Sequence, residues 1–271
     1  MITRGLLLRS TLTHTVTHTR EVPGAIRLEG TNTSDNLPQC SIKDTECIKG
    51  VYQHMMNSIG STGAEELGIP ALDPMILNNI SVNLMKDLTI TVSEGTVKGM
   101  RNCVFNTFKI DWEKEKGYLN VTCDALSVKG NFVVSGENKQ IQSIIGSNSL
   151  TGDGRAKVKL DNTKLNIEFS ITLKKKDDGD IYLSVSNKNI KYTYDIGKAH
   201  FVIEKVVIAN NDLSQIVSSY LNDNWRSVMD QFGSVFIEKA LELYVDLVAN
   251  MCDKIPGKKF ITEDLHSYLK H

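Results

Sequence analysis

Few residues in this sequence have the types and spacing that catalysis or metal binding requires. Of the six histidines, only His54 and His200 lie away from the ends of the chain, and neither has a second His or Cys at the spacing of a metal site. The sequence contains no nucleophile elbow, H-E-x-x-H motif, phosphate-binding loop or dinucleotide-binding glycine motif. We therefore predict a protein that is not an enzyme and has no cofactor or metal. A hydrolase of lipid esters is disfavoured because it would need a nucleophile with a neighbouring base.

The five cysteines include one pair that is close in sequence. Cys40 and Cys47 bracket the start of a helical pattern, where a disulfide would hold the entering chain against the first turns. Their spacing does not fit a zinc site or a redox C-x-x-C motif. Two free, buried thiols are the alternative. Cys103, Cys123 and Cys252 are left over, and because their number is odd, at least one of them is free or pairs with another chain.

Composition limits the partners that the chain could bind. The net charge of -1 gives no electrostatic reason to expect nucleic acid or an anionic membrane, and no apolar run is long enough for stable insertion into a membrane. With 41% hydrophobic residues, the chain is typical of one globular unit or two small ones. Residues 1–36 show no periodicity and are interpreted as a leader, an expression remnant or a disordered arm. The folded domain is expected to span residues 37–271.

Strand patterns occupy the middle of the chain, from about residue 80 to residue 208. The clearest pattern is an alternation of apolar and polar residues from Leu165 to Leu173, which is typical of a strand with one buried face. Short turn sequences, such as the one from Asp177 to Asp180, separate the runs. We therefore predict a meander of long antiparallel strands that form a strongly curved sheet.

Two helical patterns flank the strands. The first begins at Asp44, an expected N-cap, and ends at Gly60 and Gly63. The second runs from Asp212 to Cys252, roughly 60 Å of helix, with Trp225 on its buried apolar stripe. A helix this long needs an equally long apolar partner, and the concave face of the sheet is the candidate. The predicted fold class is α+β: a highly curved antiparallel sheet wraps a long C-terminal helix and leaves an internal hydrophobic cavity.

A resemblance to a known family rests on five motifs that follow one another over about residues 40–271. These motifs are the segment from Cys40 to Cys47, Glu66-Leu67-Gly68-Ile69-Pro70 with Leu72-Asp73-Pro74, Thr96-Val97-Lys98-Gly99, Val128-Lys129-Gly130-Asn131-Phe132, and Leu221-Asn222-Asp223-Asn224-Trp225. They are similar to the signature of insect takeout and juvenile-hormone-binding proteins. The resemblance implies a super-roll fold akin to the tubular lipid-binding proteins, secretion into body fluid or sensory lymph, and a disulfide between Cys40 and Cys47.

The ligand implied by this resemblance is a terpenoid such as juvenile hormone, a fatty acid or a related lipid, held in an internal tunnel. Strict hormone carriers have a second disulfide whose pattern is not matched by Cys103, Cys123 and Cys252. That departure favours the broader takeout-like group. The alternative function is a non-enzymatic interaction protein that has a filled core and acts through its surface. In either case we expect a monomer, whose receptor or target-cell partner, if any, is unknown.

The candidate ligand-binding residues come from the inward faces of the predicted elements. The expected pocket consists of Val51, Met55, Ile59, Leu72, Met75, Ile76, Phe108, Ile110, Leu165, Ile167, Phe169, Ile171, Val217, Leu221, Val228 and Phe232. Polar contacts to the ligand are assigned to Tyr192, Tyr194 and Tyr220. Sequons at Asn79 and Asn120 are compatible with glycosylation of a secreted protein.

Overall fold

The computed structural model describes residues 37–137, 149–208 and 211–270, so the predicted leader at residues 1–36 lies outside the described part of the chain. Helix α1 spans Thr45–Thr62. The strands are β1 (Met75–Met85), β2 (Leu88–Lys98), β3 (Val104–Asp111), β4 (Lys116–Glu137), β5 (Ser149–Lys175), β6 (Ile181–Ile208) and β7 (Asn211–Asp212). Two helices follow, α2 (Ser214–Asp223) and α3 (Trp225–Lys254).

All the strands belong to one antiparallel sheet in the order β1-β2-β4-β5-β6-β7. Strands β3 and β2 pair with successive halves of β4, on the edge opposite β5. Helix α3 packs along β6 and also contacts β1, which lies at the other margin of the sheet. A sheet whose two margins reach the same helix must curl around it. The prediction of a curved antiparallel sheet packed against a long C-terminal helix is confirmed.

The inward faces of the strands follow the period of two, which is interrupted locally in several strands. Ile167, Phe169 and Ile171 on β5 are buried, as their alternation predicts. In β3 the register shifts between Phe105 and Thr107, which is why Phe105 and Phe108, three residues apart, both belong to the core.

In β1 the interruption falls at Asn79, whose φ of 53° is left-handed. Leu77 and Val82 are both buried although they are an odd number of residues apart. Ile76 alternates with Leu77 and is 59% exposed, so the prediction that Ile76 closes one end of the pocket is wrong. The sequence pattern did not distinguish the two neighbours because both are large and apolar.

Helix α1 begins and ends as its capping residues predict. The Asp44 carboxylate accepts a hydrogen bond from the Cys47 amide at 3.0 Å. Gly63 follows the last helical residue with a φ of 71°, and a Cβ there would lie 2.4 Å from the Ile69 carbonyl oxygen. Gly60, by contrast, is still helical, so only Gly63 ends the helix.

Two of the family-like motifs meet just beyond α1. The Asp73 carboxylate accepts hydrogen bonds from the amides of Gly99 at 2.9 Å and Arg101 at 3.2 Å. Gly99 has a φ of 104°, and a side chain there would collide with the backbone of Ala125. The two motifs, distant in sequence, therefore form one junction that fixes the chain between α1 and β1 to the end of β2.

The predicted single helix from Asp212 to Cys252 is wrong in one respect, because the structure has two helices that meet at Asn224. The side-chain amide of Asn224 donates to the Tyr220 carbonyl at 2.9 Å, and its backbone amide donates to the same oxygen at 3.0 Å. A short amide side chain that bonds to nearby backbone competes with regular helix geometry. Helix α3 alone has 30 residues and is therefore about 45 Å long.

Helix α2 turns a polar face to the sheet. Ser214, Ser218 and Asn222, spaced four apart, accept hydrogen bonds from the backbone amides of Val206, Ile203 and Phe201 at 2.8–2.9 Å. Strand β6 has an edge here whose amides need acceptors, so polar side chains face inward.

The opposite face of α2 is apolar and open to solvent. Ile216 is 69% exposed and Tyr220 is 64% exposed. The prediction that Tyr220 contacts the ligand is therefore wrong. Trp225 is half-buried: its ring packs beside a core cluster and also stacks 4.4 Å from the Arg226 guanidinium.

Two disulfides tie the first part of the chain together. Cys40 is bridged to Cys47, and Cys103, just before β3, is bridged to Cys123 on β4. Cys252 on α3 is a free thiol. The odd cysteine expected from the sequence is therefore Cys252, and the second disulfide joins two residues that sequence alone left unassigned.

Candidate functional site

An apolar cavity of about 70 Å³ lies between α1, α3, the inner face of the sheet and the C-terminal segment. Its walls are formed by Ile48, Val51, Tyr52, Met55, Phe108, Ile110, Trp112, Phe169, Ile171, Leu183, Val185, Val248, Met251, Cys252, Ile255, Phe260 and Ile261. None of these described lining residues is an acid, a lysine, an arginine or a histidine. A cavity with such walls favours an apolar, uncharged occupant.

A second, smaller cavity of about 20 Å³ adjoins the first. Four residues belong to the walls of both cavities: Tyr52, Phe169, Val185 and Val248. The ring of Phe169 lies against Gly117, where a Cβ would be 2.3 Å from the ring. The absence of a side chain at Gly117 therefore lets this ring occupy the partition. Movement of these few side chains would join the two spaces.

Seven of the predicted pocket residues line these cavities. They are Val51, Met55, Phe108, Ile110, Ile171 and Phe169 in the first cavity, with Ile167 in the second. Leu72 and Leu165 belong to the core packing beside the cavities without lining them. Met75 is half-buried and lines neither cavity, and the side chain of Ile59 lies outside the described residues.

The predicted residues at the other end of the helices are separate from the cavities. Leu221 and Val228 pack against a distinct cluster around Ile196 and Met229, while Val217 and Phe232 are half-buried. None of these four lines either cavity. The apolar residues from Val217 to Phe232 were therefore assigned to the wrong part of the molecule, because apolar spacing shows which face of a helix is buried and not which cavity that face lines.

The two strand tyrosines also have a different role from the one predicted. Tyr192 donates to the carbonyl of Ser234 at 3.2 Å, and Tyr194 donates to the carbonyl of Met229 at 3.1 Å. Partial burial raises the pKa of both phenols. Both hydroxyl groups thus join β6 to α3, so we correct their assignment from ligand contacts to helix contacts.

Sequence reasoning missed the contribution of the C-terminal segment. Ile255, Phe260 and Ile261 line the first cavity, although this stretch has too little periodicity to be assigned to an element. Tyr52 and Trp112 could have been found, since Tyr52 shares a face of α1 with Met55, and Trp112 continues the alternation of Phe108 and Ile110.

The C-terminal segment is clasped to the Cys40–Cys47 loop. The Cys40 amide donates to the Phe260 carbonyl at 2.8 Å, and the Thr262 amide donates to the Cys40 carbonyl at 3.0 Å. The Glu263 carboxylate accepts hydrogen bonds from the Ser41 hydroxyl at 2.5 Å and the Ile42 amide at 2.8 Å. These bonds lower the pKa of Glu263 to about 2. One wall of the cavity is therefore held by a disulfide-bonded loop and an ionised carboxylate.

A buried pair of tyrosines joins α1 to α3 beside the cavities. The hydroxyl groups of Tyr52 and Tyr244 are hydrogen-bonded to each other, and Tyr244 also donates to Met56 Sδ at 3.9 Å. Burial raises the pKa of both phenols well above the ordinary value. Both groups therefore stay neutral, and their donors are used within the protein.

Trp112 and Cys252 are the other lining residues whose side chains carry an N–H or S–H group. The indole nitrogen is buried and has no hydrogen-bond partner in the described part of the chain. Burial raises the pKa of the Cys252 thiol to about 12, so the thiol is protonated and is not a nucleophile. Among the described residues, no group of acidic, His and Cys side chains could hold a metal ion.

The cavity must expand to hold a ligand of more than a few carbon atoms. An engineered apolar cavity of about 150 Å³ is known to bind benzene, and the present cavity is about 70 Å³. Met55 and Met251 line it, and methionine side chains change conformation at little cost. Movement of these two side chains would enlarge the cavity.

The chain was compared with protein families, curated sequences and solved structures. A family model described as haemolymph juvenile hormone binding protein matches residues 21–262. The crystal structure of Takeout 1 from Epiphyas postvittana is similar with a TM-score of 0.67 and 23% identity, covering 83% of this chain and 99% of that chain. A lipopolysaccharide binding protein gives a TM-score of 0.31 at 12% identity, over 64% of this chain and 33% of that chain. The comparison with curated protein sequences finds no match.

Proposed function

The chain belongs to the haemolymph juvenile hormone binding protein family, and on that premise we propose that it carries a terpenoid, fatty acid or related lipid in its cavity. Family membership by itself implies a binding protein for a hydrophobic ligand and not an enzyme. The identity of the ligand and its place between α1 and α3 are the proposal. No helix in the described residues is long and apolar enough to cross a membrane.

The observation that carries the proposal is the apolar cavity beside Tyr52 and Phe169. Its uncharged walls would desolvate an apolar chain, and each buried methylene group contributes about 0.8 kcal/mol. The adjoining cavity extends the same space along α3 once the shared side chains move. Affinity should therefore depend more on the length of the ligand than on its functional group.

We also propose that the protein acts outside the cell. The two disulfides support this location, because such bonds persist in oxidising compartments. A glycan would then attach at Asn79, which is exposed on β1. Asn120 is a poor acceptor, since its side chain bonds to Asn106 at 2.7 Å and to Asn166 at 2.5 Å on the outer face of the sheet. Glycopeptide mass spectrometry of secreted protein tests this assignment.

The experiment that tests the carrier proposal is extraction of the purified, secreted protein followed by mass spectrometry of the extract. We expect a co-purified lipid or, after delipidation, uptake of one member of a panel of isoprenoid esters and fatty acids. Val248→Phe, which narrows both cavities, serves as the matched control and should retain less ligand. If the wild type retained none and bound none, the carrier proposal would be wrong.

The alternative is an interaction protein that works through its surface. The exposed Ile216 and Tyr220 on α2 favour it, since large apolar side chains in solvent often mark a binding surface. In that case replacing both residues with serine would abolish partner binding, and filling the cavity would have no effect. The two functions can therefore be distinguished: a carrier loses activity when the cavity is filled, and an interaction protein loses it when Ile216 and Tyr220 are replaced.

A further inference from the structure

We propose that the outer face of the sheet binds a linear polyanion and that, in the extracellular location proposed above, this partner is a sulfated polysaccharide. The site is a block of outward-facing residues on β2, β4, β5 and β6, here called the basic face. Its charged members are six bases and three acids: Lys98, Lys129, Arg155, Lys157, Lys159 and Lys205, with Glu94, Asp161 and Glu204. The face is thus positive, although the whole chain has a net charge of -1. This inference goes beyond the carrier function and does not depend on the ligand in the cavity.

The strand register brings the bases together. Lys129 on β4 lies directly opposite Lys157 on β5, and Arg155 and Lys159 flank Lys157 on the same face of β5. Directly opposite residues of an antiparallel pair have Cβ atoms about 5 Å apart, and like charges at such positions destabilise the sheet. Lys157 forms no ion pair within the described part of the chain. A bound polyanion would offset the repulsion between the two facing lysines.

Ion pairs within the protein neutralise only part of this charge. The Glu204 carboxylate is shared, since its oxygens lie 3.5 Å from Lys129 Nζ and 3.5 Å from Arg155 Nη1. The Asp161 carboxylate lies 2.8 Å from Lys159 Nζ. All three basic side chains remain about half exposed, and ion pairs this exposed contribute little. An incoming anion can therefore reach these bases without breaking a strong interaction.

The arrangement of the basic face favours a linear polyanion over a membrane or a protein. Alternate residues of a strand are about 6.6 Å apart, so Arg155, Lys157 and Lys159 form a line of charges about 13 Å long on β5. Ser127 and Asn131 lie beside this line on β4 and offer hydroxyl and amide groups to sugar and sulfate oxygens. Protein interfaces are enriched in aromatic residues, and surfaces that bind membranes combine basic residues with large apolar ones. The outward residues of the basic face, all within the described part of the chain, include no Trp, Tyr, Phe or Leu.

Calorimetric titration of the delipidated protein with a heparin-derived octasaccharide tests the proposal. We expect binding at about 50 mM salt that weakens at least about tenfold at about 200 mM salt, because contacts with a polyanion release its bound counterions. No binding at the lower salt concentration, or binding that does not depend on salt, would overturn the proposal. Vesicles of phosphatidylcholine and phosphatidylserine test the membrane as the partner. Tighter binding of these vesicles than of the octasaccharide would also overturn it.

The double variant Lys129→Gln/Lys157→Gln removes the two facing charges and should weaken octasaccharide binding at least about tenfold. Both lysines are exposed, so the variant should remain folded. The matched control is Lys164→Gln/Lys191→Gln, which removes the same charge from the same outer face, where Lys191 pairs with Glu168 at 3.3 Å. The control should bind within about twofold of the wild type.

Equal losses in the two double variants would mean that only the total charge matters, and they would overturn the proposal. None of the four replaced lysines lines a cavity, so both variants should take up methyl laurate as the wild type does. A failure of octasaccharide binding therefore leaves the carrier function standing, and a failure of methyl laurate uptake leaves the basic face standing.

Discussion

The two ends of this protein are held together by different forces. Around the cavity, α1, β3 and the C-terminal segment are joined by buried apolar side chains. The Cys40–Cys47 disulfide ties the entering chain to α1, and the Cys103–Cys123 disulfide ties the start of β3 to β4. At the other end, α2 has no fully buried residue and is attached to β6 through Ser214, Ser218 and Asn222. We refer to these regions as the cavity end and the α2 end.

The difference shows where a cavity can be kept. Burying apolar surface stabilises the cavity end, and the disulfides limit the freedom of its unfolded chain, so empty space between the side chains can be tolerated. Helix α2 packs only half-buried side chains such as Leu221 against the core, and its hydrogen bonds to β6 each contribute little. The apolar residues of α2 can therefore face solvent, and the cavity lies where the structure is most strongly constrained.

The largest expected effect comes from equivalent truncations at the two ends. Ile171 lines the cavity and is 2% exposed, so Ile171→Ala should lower the free energy of unfolding by about 2–5 kcal/mol. Ile216 on α2 is 69% exposed, and Ile216→Ala should change it by no more than about 0.5 kcal/mol. Chemical denaturation measures both values. Similar losses for the two variants would remove the contrast between the ends.

The second prediction concerns the disulfide between Cys103 and Cys123. Replacing both cysteines with alanine should destabilise the protein by about 3 kcal/mol, because the bridge closes a loop with a sequence separation of 20. Removal of the Cys40–Cys47 bridge, with a separation of 7, should cost somewhat less, about 2 kcal/mol. Denaturation of the two double variants under the same conditions gives the comparison. The reverse order would contradict the account based on loop length.

The third prediction tests the polar attachment of α2. Asn222 accepts a hydrogen bond from the Phe201 amide at 2.9 Å and donates to the Phe201 carbonyl at 2.7 Å. Asn222→Ala should cost about 1–3 kcal/mol, since it leaves a half-buried amide without its acceptor. The neighbouring Tyr220→Ala serves as the control and should be nearly neutral. Hydrogen exchange at the Phe201 amide should accelerate only in the first variant.

The smallest effect is a dependence on pH at the clasp of the cavity end. The folded pKa of Glu263 is about 2, below its ordinary value of 4.5, because the Ser41 hydroxyl and the Ile42 amide bond to its carboxylate. Its stabilising effect is therefore present above pH 4.5 and is lost as the pH falls towards 2. Glu263→Gln should remove this contribution. The melting temperature of the variant should therefore fall less steeply than that of the wild type as the pH is lowered from 4.5 to 2. An identical slope in the two proteins would contradict the role of the clasp.

Most of the fold could be predicted from the sequence because its strands and main helix have strong periodicity. The alternation around Phe169 placed Ile167, Phe169 and Ile171 in the cavity walls, and the spacing of apolar residues in α1 placed Val51 and Met55 there. The cap at Asp44 and the turn at Gly63 gave the bounds of α1. These patterns are local, and they predict the structure correctly because the apolar residues that form them are also the residues buried in the core.

The errors arise where a neighbour and not the local pattern decides the outcome. The edge of β6 needs hydrogen-bond acceptors, so α2 turns Asn222 inward and Tyr220 outward, against the apolar pattern. The C-terminal wall at Phe260 likewise depends on contacts with a distant part of the chain. A single sequence contains no record of such contacts.

The most direct test of the account is calorimetric titration of the delipidated protein with methyl laurate, repeated on one variant from each end. Val248 lies in the walls of both cavities, so Val248→Phe should weaken binding at least about tenfold, while Ile216→Phe should bind as the wild type does. Circular dichroism establishes that both variants are folded. If Val248→Phe bound normally and Ile216→Phe did not, the ligand site would lie at the α2 end and the cavity would not be the carrier site.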